Sequence, residues 1–170
     1  MELAILRLLH ISFGVLWVGG AFLVGIFLMP AMGEAGPAGG AVMGGMVKRR
    51  LPLWMNVFAV INVLSGLRLF MIDSAGTPGY MLTPTGICLC LGALFALAAF
   101  GLGLRVQRPT AMKMGALGAA IKAAGGPSSA EQQEEMKRLG MVMGKVSKRT
   151  AILLLHAAIF MAASRLAGQF

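Results

Sequence analysis

Residues 8–33 read LLHISFGVLWVGGAFLVGIFLMPAMG, 26 positions without one Asp, Glu, Lys or Arg. A bilayer core about 30 Å thick is crossed by roughly 20 apolar helical residues, so this stretch reads as a membrane span. It is too long and uninterrupted for the apolar core of a cleaved leader, and is expected to be retained. His10 lies near its start, and the other histidine, His156, lies inside the last apolar stretch of the chain. An ionisable side chain at membrane depth is costly, which makes each a candidate functional group.

Composition outside that stretch agrees. The chain has 170 residues, 58% of them hydrophobic and only 12% charged, with a mean hydropathy of +0.81. That is an integral membrane protein, and residues 1–170 form one membrane domain whose first partner is the lipid bilayer. Its 24 glycines suit helices that pack closely in lipid. The net charge of +9 raises nucleic-acid binding, but the basic clusters flank the apolar stretches, where membrane insertion places them, so no nucleic-acid partner is expected. Cys88 and Cys90 are two residues apart, on different faces of a helix, and imply no disulfide framework.

Taken in order, the sequence predicts an all-α, antiparallel four-transmembrane-helix bundle with spans at about residues 4–29, 51–72, 84–104 and 150–168. Pro30 should end the first span, and the Gly- and Ala-rich residues 32–45 should form a loop with at most one interfacial turn. Thr83 as N-cap and Pro84 at the first helical position should open the third span. Residues 105–149 read as a helical hairpin. Its second arm starts with Ser128 and Glu131 at capping-box spacing and meets no breaker before the fourth span. Met136, Leu139, Met143 and Val146 mark its apolar face.

Twelve of the 15 Lys and Arg lie in the connections after spans one and three; the exceptions are Arg7, Arg68 and Arg165. The positive-inside rule then predicts a multi-pass protein of an inner or plasma membrane, with loops 30–50 and 105–149 cytoplasmic and both termini outside.

At about 1.5 Å per residue, the three arginines fall within roughly 7 Å of the outer boundary, His10 near 10 Å and His156 near 18 Å. Arg7 and His10 share a helix face, and Gly66 in span two, at similar depth, leaves room for a neighbour. A histidine layer beneath an arginine rim matches what haem requires: imidazoles for iron and cations for propionates. Helical phase opposes part of this, since Arg165 is about half a turn from His156.

Plainer roles are open beside it. An intramembrane histidine can serve only as an interhelical hydrogen-bond donor, and interfacial arginines can snorkel to the headgroups. Trp17, mid-span, reads as packed core. The 14 methionines read as adaptable filler, with copper ligation by Met, Cys or His as the alternative.

His10 to Gly20, HISFGVLWVGG, the Lys48-Arg49-Arg50 run leading into span two, and Leu64-Ser65-Gly66 resemble the copper-resistance protein D (CopD)-like membrane family. Its first-span pattern is a histidine followed by Leu-Trp-Val-Gly-Gly. The resemblance covers spans one and two. More distantly, the chain is similar to the HemJ-type protoporphyrinogen oxidases, four-helix haem proteins whose first-span histidine would map onto His10. The aromatic-rich pattern that follows the histidine in that group is missing here, so its activity is not carried over. The resemblance implies haem or copper at His10.

The expectation is a b-type haem between spans one and four, ligated by His10 and His156, with Arg7, Arg68 and Gly66 around it and a redox or electron-transfer role. Two alternatives stand beside it: a copper-transport or copper-tolerance protein, and a non-catalytic accessory subunit packed with other membrane subunits or as a homo-oligomer.

Overall fold

The computed structural model describes residues 1–167 and contains helices and turns, with no strand among the described residues. Four helices are long and apolar enough to cross a membrane: α1 (Glu2–Glu34), α3 (Leu51–Ser74), α4 (Pro84–Ala123) and α5 (Ala130–Ala167). A shorter helix, α2 (Pro37–Lys48), lies between the first two. The predicted end of the fourth span at residue 168 lies outside the described residues.

The helices form two antiparallel pairs, α1 with α3 and α4 with α5, joined by packing of α1 along α5. All four meet around Trp17, with Ala21, Ala59, Ala99 and Leu154 buried beside it. The indole edge meets the Phe100 face at 6.4 Å between centroids and 88° between planes. Ala21, Ala59 and Ala99 leave space that the indole fills, which is how four apolar helices find a common register without a polar–apolar contrast. Outward, Ile11, Val15, Leu64, Leu94 and Ile159 are exposed. A surface this apolar is compatible with lipid as the solvent.

Thr83 caps α4 as expected, its Oγ1 accepting from Gly86 N–H at 3.0 Å. The capping box of α5 sits one residue later than the sequence reading placed it. Ser129 Oγ accepts from Gln132 N–H at 3.2 Å, while Gln132 Oε1 accepts from Ser129 N–H at 2.9 Å. Both spacings fit the pattern, and the chain uses the Ser/Gln pair instead of Ser128 and Glu131. From there α5 runs unbroken for 38 residues, about 57 Å.

Two boundaries differ from expectation. Pro30 does not end α1, because a π-helical turn, Leu23–Leu28, precedes it and shifts Met29 N–H onto the Val24 carbonyl. The proline then behaves as a first-turn residue, whose missing N–H costs nothing. The same device recurs in α4, where the π turn Gly103–Gln107 shifts Arg108 N–H onto Gly103 just before Pro109. Both turns pack on α5, with Gly25 against the Ser147 carbonyl and Gln107 Nε2 donating to Ser147 Oγ at 3.3 Å. Residues 37–48, expected mainly as loop, are helical, since α2 folds back with Gly39 against the backbone of Met32. Tertiary contact overrides the low helix propensity of its glycines.

Candidate functional site

The polar layer between α1 and α3 is built from His10, Asn62, Ser65 and Gly66. Asn62 and Ser65 are buried and His10 half-buried. His10 Nδ1 lies 2.9 Å from the Asn62 backbone carbonyl, and Asn62 Nδ2 donates to the His10 backbone carbonyl at 2.7 Å. Each side chain therefore bonds the other residue's backbone, a reciprocal clasp across the helix pair. A carbonyl only accepts, so Nδ1 carries the imidazole proton. Asn62 Nδ2, 3.3 Å from Nδ1, is then a contact between two donors rather than a second bond. Ser65 Oγ spends its proton on Ile61 O at 2.6 Å.

Two glycines make the clasp possible. A Cβ on Gly66 would sit 2.6 Å from His10 Cε1, and a Cβ on Gly14 would sit 2.8 Å from Asn62 Nδ2. Each knob enters a notch on the facing helix, as small-residue packing in membranes allows. Arg68 lies about 9 Å nearer the C-terminal end of α3 than Asn62 on the helix-rise count. Its Nη2 pairs with Glu2 at 2.7 Å, and both side chains are more than half exposed. Arg7 and Arg165 are exposed.

With Nδ1 donating, a neutral His10 ring carries its lone pair on Nε2. That atom makes no hydrogen bond among the described residues and is not sealed from the surface. An imidazole oriented by Nδ1–H to a backbone carbonyl, with Nε2 free, is the arrangement of a metal-ligating histidine. His10 is therefore the residue that would hold a haem iron, which would supply one-electron chemistry. α1 and α3 touch at this level and leave no space for a macrocycle between them.

His156 is placed elsewhere. At about 100° per residue it points roughly 120° from the mean direction of the buried face of α5 (Leu139, Val146, Thr150, Ala151, Leu154, Ala157). It is exposed, its Nδ1 donates to Ile152 O at 2.8 Å within its own helix, and its ring lies 5.3 Å from that of Phe95 on α4. The structure brings His10 and Gly66 together, but turns His10 onto α3 and His156 out beside α4. A macrocycle held by both between spans one and four does not fit this arrangement.

For copper, no group of three or more His, Cys, Asp or Glu capable of holding a metal ion occurs among the described residues. Cys88 and Cys90, both half-buried, belong to α4, which packs chiefly on α5 and not on the His10 side of α1.

Asn62 and Glu2 were not singled out from sequence. Asn62 had a readable signal, since Asn62, Ser65 and Gly66 recur at one-turn spacing at the depth of His10. For Glu2 there was none beyond its place at the N-terminal end of span one. No protein-family model, curated protein or solved structure matches the chain, so the site is described by its own geometry.

Proposed function

We propose that this is a multi-pass membrane protein in which His10 is the single protein ligand of a b-type haem in an electron-transfer role. The observation that carries the reading is the Nδ1–H bond to the Asn62 carbonyl, which fixes the tautomer and leaves Nε2 free. Arg7, three residues away on the same face and without an ion-pair partner among the described residues, is placed to meet a propionate. Arg68 is a weaker candidate for that task because Glu2 already holds it. A bound haem would supply one-electron chemistry; the residues orient the imidazole and offer charge at the outer rim. His156 has no part in this reading. In the membrane both termini lie outside, and the inner parts of α4 and α5 extend as a hairpin into the cytoplasm, following the charge asymmetry.

The test is an absorption spectrum of the detergent-purified protein expressed with ample haem. A Soret band should be present, should vanish in His10→Ala, and should survive in His156→Ala. Its absence from the unsubstituted protein refutes haem binding. A second reading, the accessory subunit, is favoured by the reciprocal clasp, because two interhelical hydrogen bonds account for an intramembrane histidine by packing alone. In that case His10→Ala lowers stability and no preparation has a Soret band.

A further inference from the structure

We propose that the groove between α4 and α5 at their basic end binds an anionic phospholipid, with Arg149 on the phosphate and an acyl chain along Leu102, Ile152 and Leu153. The inference rests on the reading that the four long helices cross a membrane, and is independent of haem. These four residues line a shallow cleft of about 370 Å³ whose surface is almost wholly apolar apart from Arg149. Arg149 directly precedes the apolar run of α5, so its side chain sits where the hydrocarbon gives way to headgroups.

Charge complementarity selects the occupant. Arg149 is exposed and has no ion-pair partner among the described residues. Neither helix offers one nearby, because residues 74–130 and 136–170 contain no Asp or Glu. Glu34, at the inner end of α1, forms no ion pair with it. On α4, Arg105 comes three residues after Leu102 and adds a second exposed cation at the same end. A guanidinium forks onto two phosphate oxygens, and a cation near an anionic membrane surface contributes enough to change affinity about fivefold. A zwitterionic lipid brings its own cation to its phosphate and gains less. Phosphatidylglycerol has no such internal partner, and its chain covers the apolar wall that a soluble phosphate leaves bare.

The experiment is native mass spectrometry of the full chain, delipidated in detergent and titrated with phosphatidylglycerol, phosphatidylcholine or glycerol phosphate. Phosphatidylglycerol should be retained over phosphatidylcholine. Arg149→Gln should weaken that retention about fivefold, and Arg149→Lys should restore part of it. Ile152→Gln, which wets the wall, should also weaken it. Arg138→Gln is the control, since Glu135 already binds that guanidinium at 2.7 Å through two bonds, and it should change nothing. Retention in Arg149→Gln equal to that of the unsubstituted protein overturns the proposal, as does equal retention of phosphatidylcholine. Displacement by glycerol phosphate at matched concentration overturns it in favour of a soluble-anion site.

Discussion

Replacing Gly66 by Ala adds one methyl group directly against the His10 ring. The new Cβ would lie 2.6 Å from Cε1, whereas carbon atoms rest at about 3.5–4.0 Å, so ring or helix must retreat by about 1 Å. His10 Nδ1 is 2.9 Å from the Asn62 carbonyl, and a retreat of that size takes it beyond bonding distance. Overpacking costs about 1–3 kcal/mol, and the lost interhelical bond about 0.6 kcal/mol more. Against this, Gly→Ala within a helix gains about 0.5–1 kcal/mol. The net expectation for Gly66→Ala is a loss of about 1–3 kcal/mol. Gly19→Ala is the matched control, because a Cβ there meets nothing within 4 Å. It should be neutral or stabilising by about 0.5–1 kcal/mol. Reversible unfolding in mixed micelles, followed by helical circular dichroism, measures both. Equal stability of the two variants would refute the seating of His10 on Gly66, and with it the tautomer argument for Nε2.

Trp17→Ala removes the buried indole at the meeting point of the four helices and should cost about 3–5 kcal/mol in the same assay; a loss under about 1 kcal/mol would show that the four-helix contact is not there. Single cysteines at positions 76 and 125, in a background with Cys88 and Cys90 replaced by Ala, test orientation in intact cells. Position 76 should react with an impermeant maleimide and position 125 only after permeabilisation, and the reverse pattern inverts the topology.

The long helices were legible because their signal is length and hydropathy, which survive whatever faces what. Span boundaries set by caps were legible for the same local reason, as at Thr83. Facing was not. A helix apolar all round carries little contrast between sides, so nothing in hydropathy indicates that Asn62 turns to His10 or that His156 turns outward. Depth placed the two histidines about 8 Å apart along the membrane normal, and only packing separates the surfaces they occupy. The polar residues of span two were the exception. In an apolar helix Asn62 and Ser65 must find partners, and an i, i+3 pair beside Gly66 at matching depth is a readable address for His10. The helix at residues 37–48 escaped notice because its glycines argue against helix locally, while the contact that supports it comes from the end of α1.

The π turns before Pro30 and Pro109 also bear on how this chain tolerates change in length. A π turn holds one residue more than an α turn, so everything beyond it is rotated by about 100° from where an uninterrupted helix would put it. The outer and inner parts of α1 thus obey two separate face assignments, as do those of α4, and a pattern of contacts read from one part cannot be extended into the other. Deleting one residue from 23–28 would remove the extra residue and leave Met29–Glu34 on the side they now occupy, whereas straightening the turn with every residue kept would swing them by about 100° away from the register of the Trp17 core. Removal of Pro30 or Pro109 together with one residue of the preceding turn is then the shortest route to a straight helix. Deletion alone leaves the proline inside a regular α-helix, where its ring meets the carbonyl four residues back, so at these two places the chain is expected to lose a residue only in concert with its proline.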